Sequence, residues 1–270
     1  MNLDSEGIYG VCVFSNYRTG SNDLLSRLHA AISAKTVRQV WLHYDLLDIS
    51  TISIASDQDV THINIPGLET NTWPLPHPLE IDRVESLRHM RDCGHFPVFK
   101  IQPARHIHYN NRDHVKKFIY DDPGMFKIVL NRADISNQLL SLFMAAATRI
   151  FHHDRSAPHP WYASINDRIT FDINEALRFA NETKLHYLWH HENARRCHAV
   201  CWYDCIESAS FPKLGIYSGE LATSNFSKMN HNHEELTERL FTNHKDLLKI
   251  ARDTEDSLAV LRDSLRKKTV

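Results

Sequence analysis

Residues 8–32 open with the apolar run IYGVCVF (Ile8 to Phe14), continue through the polar stretch SNYRTGS (Ser15 to Ser21), and end with Leu24, Leu25, Leu28, Ala31 and Ile32 on one helical face. Short runs with β-branched and aromatic members read as buried strands. Apolar residues at i, i+1, i+4, i+7 and i+8 make the core-facing stripe of a helix. Ser21, Asn22 or Asp23 can cap that helix. Strand, polar loop and helix in this order predict the opening unit of an α/β nucleotide-binding fold.

The rest of the chain continues the alternation. Val40 to Leu47 reads as a second strand, and 56–80, with Pro66, Pro74, Pro76 and Pro78, as irregular structure. Residues 81–92 read as helix, Phe96 to Ile101 as strand, Lys127 to Leu130 as strand, and Ser136 to Phe151 as helix. A long helix from Asn174 to Asn193 and a last strand from Ala199 to Tyr203 complete the set. Strands alternating with helices predict a mostly parallel sheet covered on both faces, P-loop-like in its first unit. This α/β domain is expected over 1–232, and 233–270 as a C-terminal helical extension. Leu240, Leu247, Leu258, Leu261 and Leu265 stripe that extension. The stripe fits packing on its own domain or on a second subunit of a homodimer.

Composition narrows the functional classes. Of 270 residues, 42% are hydrophobic and 24% charged, an ordinary globular balance. Lys plus Arg (31) nearly equals Asp plus Glu (33), for a formal charge of -2. Nucleic-acid binding driven by counterion release asks for a far more basic chain. No apolar run approaches the length of a spanning helix, and MNLDSEG lacks a charged-then-apolar leader, so a soluble cytoplasmic protein is expected. The five cysteines, an odd number, read as reduced thiols.

Two segments carry candidate chemistry. A loop closing onto a helix start offers backbone amides and the positive dipole end to an anion. Within Arg18, Thr19, Gly20, Ser21 and Asn22, glycine lets the backbone approach a phosphate closely and Arg18 adds a guanidinium. The triphosphatase pattern G-x-x-x-x-G-K-[ST] is absent. Arg132 follows a strand at the sheet's carboxyl edge, where α/β folds bind ligands. Ser141 lies nine residues later on the next helix. Read without the rest, the loop is also an ordinary capped turn and Arg132 a surface ion-pair partner.

Taken together, the two segments resemble those of the sulfotransferases that use 3′-phosphoadenosine 5′-phosphosulfate (PAPS), most closely the bacterial trehalose-type branch. Tyr17 to Asn22 is similar to that family's R-S-G-S-T loop, which holds the 5′-phosphosulfate. Arg132, Asp134, Gln138 and Ser141 match its R-x-D-x-x-x-Q-x-x-S segment, whose Arg and Ser grip the 3′-phosphate. Phe99-Lys100-Ile101 is similar to a strand whose lysine faces the sulfate. Trp202-Tyr203-Asp204 resembles the family's Y-E/D strand ending, and 225–240 its last nucleotide loop, with Lys228 as a candidate. The likeness covers 8–32 and 98–150. It implies a transferase moving a sulfuryl group from PAPS to a hydroxyl of a carbohydrate or small metabolite, without a metal. Arg18 and Lys100 would serve catalysis, and Arg18, Thr19, Gly20, Ser21, Asn22, Arg132, Ser141 and Lys228 the donor.

One departure stands out. Relatives carry a glutamate base just after the first helix, whereas Ala34 to Trp41 here holds no carboxylate. His43 is the leading replacement, its ordinary pKa suiting it to accept a hydroxyl proton. Asp45, His95, His106 and His108 are further candidates. A protein that binds the nucleotide without turnover is the alternative. Cys197, Cys201 and Cys205 beside His190, His191 and His198 raise zinc, but tight C-x₂₋₄-C pairs completed by a second pair are the usual structural pattern. A metabolite kinase would need a loop lysine and acidic magnesium ligands, and neither is evident.

Overall fold

The computed structural model describes residues 7–43, 51–55, 60–64, 90–103, 121–148, 167–221 and 232–267, with the backbone alone at 43, 51–55 and 60–64. Strand β1 (Gly10–Phe14) leads through the 15–20 loop into α1 (Ser21–Ser33), then β2 (Val40–His43), β3 (Thr51–Ala55), β4 (Val60–Asn64), β5 (Phe96–Ile101) and β6 (Met125–Asn131). Helices α2 (Ile135–Thr148) and α3 (Ile173–Asn193), strand β7 (Ala199–Trp202), and helices α4 (His233–Leu240) and α5 (His244–Arg266) follow. The seven strands lie in the order β4-β3-β2-β5-β1-β6-β7. The five from β2 to β7 are parallel, and β3 and β4 join β2 as antiparallel strands.

Every residue of β1, β5 and β6 is buried, as parallel strands covered on both faces require. One face packs Val11, Val13, Val98, Ile128 and Leu130 against Leu24, Leu25, Leu28 and Ile32 of α1. The other carries Cys12, Phe14, Phe99, Ile101, Met125 and Val129, with Trp189 of α3 against it. Asp134 precedes helix α2, and its Oδ1 accepts from the Asn137 N–H at 2.8 Å, a side-chain cap. Asp172 caps α3 in the same way through the Asn174 N–H.

Leu247, Leu258 and Leu265 of α5 are buried in one cluster with Leu139, Phe143 and Tyr187, so the C-terminal helices pack on their own domain. The expected C-terminal helical extension consists of two helices, separated because Phe241 adopts an extended conformation and sits fully buried. Its neighbours pair with Ile169: Ile169 N–H donates to the Leu240 carbonyl at 2.8 Å and Thr242 N–H to Ile169 at 3.0 Å. Tertiary pairing here overrides helical periodicity. The expectation of irregular structure over 56–80 also fails in part, since 60–64 is β4, bonded to β3. The described part of β2 ends at His43; the remainder of the expected strand, 44–47, lies outside the described residues.

Candidate functional site

Strand order puts β1 at the middle of the parallel set, with β5 and β2 to one side and β6 and β7 to the other. Chain connections diverge on either side of such a strand, leaving a crevice beyond its carboxyl end. The loop after β1 and the residues after β6 meet there. Arg18 Nε donates to Ser141 Oγ at 3.0 Å, and Arg132 Nη1 to the Arg18 carbonyl at 3.2 Å. Gln138 Nε2 donates to the Tyr17 carbonyl at 2.7 Å. The two segments therefore form one site, and Ser141 reaches it because α2 runs back across the first loop. On the other side of the loop, Lys100 Nζ from β5 donates to Asn22 Oδ1 at 2.9 Å.

The loop is shaped by its own polar atoms. Asn16 Oδ1 accepts the Tyr17 N–H at 2.7 Å, and its carbonyl accepts Thr19 Oγ1 at 2.9 Å. Arg18 then takes a left-handed conformation, φ 56°, which costs an L-residue with a Cβ about 1 kcal/mol. That turn sends its side chain to Ser141 and its carbonyl to Arg132. Gly20 follows, also left-handed (φ 81°), and precedes the first turn of α1. Its missing side chain has a second use: a Cβ there would stand 2.1 Å from the Tyr203 ring. The expected close approach at Gly20 is thus made on that side by Tyr203, a contact that the sequence pattern did not reveal. Tyr203 also bonds the Asp23 carboxylate, and burial first, then Asp23, pushes its hydroxyl up to about 12. Asp23 in turn holds Arg27 at 2.9 Å within the core.

Charge at the site is positive. Burial is the largest influence lowering Arg18 from its usual pKa, and the second is the neighbouring Arg132. Arg132 Nε is buried without a hydrogen-bond partner among the described residues, as are Gln138 Oε1 and Ser15 Oγ. Two neighbouring guanidiniums, a buried donor without a partner among the described residues and a helix start are groups that can receive an anion.

The base candidates fare differently. His43 ends β2 in register with Phe99, beside Lys100, at the same sheet edge. Asp45, His106 and His108, and the donor candidate Lys228, lie outside the described residues. His95 precedes β5 and stacks edge-on to Trp41, 5.7 Å between centroids, at the opposite end of the sheet. It therefore lies away from the Arg18 and Arg132 segments, which gather at the carboxyl end of the sheet. Of the residues that raised zinc, His191 meets Ser264, His198 accepts the Lys127 N–H, Cys201 is buried in β7 and Cys205 is exposed. Among the described residues no group of three His, Cys, Asp or Glu is arranged around a cation.

Sequence reasoning placed α3, as the long helix expected over Asn174 to Asn193, but missed its contacts with the site. Its buried residues begin apolar, Ala176, Phe179 and Ala180, and turn polar at Thr183, His186 and His190, with Tyr187 beside them. The helical spacing of those four in the sequence was the available signal. The chain matches no protein-family model and no curated protein sequence.

Proposed function

We propose that the protein binds PAPS and transfers its sulfuryl group to a hydroxyl of a carbohydrate or other small metabolite. The observation that carries this reading is the meeting of Arg18, Arg132 and Ser141 at the carboxyl end of β1, beside the start of α1. Arg132, with its idle Nε, and Ser141 take the 3′-phosphate. The first amides of α1, with Lys100 and Asn22, take the 5′-phosphosulfate, and Arg18 lies between the two anions.

The chemistry asked of these groups is electrostatic. The acceptor oxygen forms a bond to sulfur as the bond from sulfur to the 5′-phosphate oxygen breaks, and the acceptor's proton passes to a base. Charge gathers on the departing phosphate oxygen, which Arg18, Lys100 and the loop amides stabilise by prepositioned donors. His43, on the same edge, is the proposed base. A guanidinium–phosphate bond is a charge-assisted contact worth about 1.5–3 kcal/mol.

Titration calorimetry with adenosine 3′,5′-bisphosphate tests the reading. Binding is expected for the wild type and a loss of roughly 10- to 100-fold for Arg132→Ala. Equal affinities, or no binding to either, would overturn it. The absence of a carboxylate in 34–41 favours one second reading, nucleotide binding without turnover. Donor affinity without transfer to any of a panel of sugar and metabolite hydroxyls would decide for it.

A further inference from the structure

Helix α3 contacts both anion loops through four side chains at i, i+3, i+4 and i+7. Thr183 Oγ1 accepts from Asn16 Nδ2 at 3.1 Å, and His186 Nε2 donates to the Ser15 carbonyl at 2.5 Å. Tyr187 OH donates to the Arg132 carbonyl at 2.5 Å, and His190 Nδ1 meets Asn131 Oδ1 at 2.7 Å. All four residues are essentially inaccessible to solvent. The first pair therefore holds the loop after β1, and the second pair the end of β6 and Arg132 just beyond it.

The Arg132 bond to the Arg18 carbonyl closes a circuit, from α3 to Ser15 and Asn16, along the loop to Arg18, across to Arg132, and back through Tyr187. We infer that Thr183, His186, Tyr187 and His190 are positioning residues that set the separation of the Arg18 and Arg132 guanidiniums, and thereby select a ligand whose two anionic groups have one span. Within the proposed function, that ligand is a nucleotide phosphorylated at both 3′ and 5′ positions.

The choice of side chains fits this task. Carbonyls at strand ends need donors, and helix side chains supply them without drawing the backbone out of the sheet. Burial keeps both imidazoles below their usual pKa, His186 at about 4, and their rings lie 4.9 Å apart. Neutral donors leave the guanidiniums as the positive groups facing the ligand and add no repulsion beside them. A helix serving packing alone would continue the apolar stripe of Ala176, Phe179 and Ala180.

The test compares two nucleotides. Tyr187→Phe keeps the ring and removes one hydroxyl. Its affinity for adenosine 3′,5′-bisphosphate is expected to fall about fivefold, the worth of one ordinary hydrogen bond, and that for adenosine 5′-monophosphate less than twofold. Equal losses on both ligands, or none on either, would overturn the inference. His186→Gln, whose amide nitrogen reaches the position of Nε2, is expected to retain the discrimination, and His186→Leu to lose it; identical behaviour of the two overturns the assignment. Amide hydrogen exchange without nucleotide judges the circuit on its own. In Tyr187→Phe, exchange at Thr19 and Gly20 is expected to quicken along with that at 132–134, and an unchanged first loop counts against it. A wild type that binds neither nucleotide sinks the sulfuryl-transfer reading, while the exchange result still decides the circuit.

Discussion

Helices α1 and α3 flank the same sheet and are held by different forces. Helix α1 offers Leu24, Leu25, Leu28 and Ile32, all fully buried, to the strands. The buried face of helix α3 is apolar in its first half, and past Ala180 hydrogen bonds to strand ends join the packing of Tyr187 and Trp189 in holding it. Apolar packing is non-directional and tolerates small shifts, whereas a hydrogen bond weakens steeply when its angle or length changes. The first helix therefore supplies stability, and the third fixes where the loops stand.

The contrast is most severely challenged at the start of α1. Gly20→Ala combines a left-handed backbone penalty with a clash against Tyr203, and is expected to cost about 4 kcal/mol in chemical denaturation. A loss under 1 kcal/mol would mean that Tyr203 moves aside freely. Next, Leu28→Ala removes a fully buried side chain and is expected to cost about 3 kcal/mol while leaving nucleotide affinity within twofold. A large affinity change would show that α1 also positions the loop.

The smallest of the three effects belongs to α3 and is read from pH. His186 titrates at about 4 when folded and near 6.5 when unfolded, so the unfolded chain binds the extra proton between those values. Its contribution is complete above about pH 6.5 and is lost as the pH falls toward 4, by about 2–3 kcal/mol in all. Unfolding free energies measured from pH 7 to pH 4 should show a shallower acid slope in His186→Gln than in the wild type. Parallel slopes would place the acid sensitivity elsewhere.

The reading from sequence alone succeeded where local rules dominate. The apolar run at 8–14, the 3.6-residue spacing after Ser21, and the strands at 96–101 and 127–130 all appear as elements near their expected bounds. It failed where a distant partner decides. Residues 60–64 lie in a proline-rich neighbourhood yet pair with β3, and Phe241 leaves a helical pattern to fill the core beside Ile169. At the site, Arg18 stood out from its place in the loop, and Arg132 and Ser141 from the resemblance of their segment to a family pattern. Tyr203 against Gly20 did not, because 183 residues separate them in the chain and only the return of β7 beside β6 joins them.

Alternating apolar runs and periodic stripes suffice to specify an α/β sheet with a polar loop feeding α1, because strand and helix formation answer to neighbours a few residues away. The sharing of one crevice by the Arg18 and Arg132 segments, and the neutral hydrogen-bonding face of α3 behind them, came from strand order and helix crossing. Those depend on contacts spanning more than a hundred residues, where free-energy differences between alternative packings are not encoded in any local pattern.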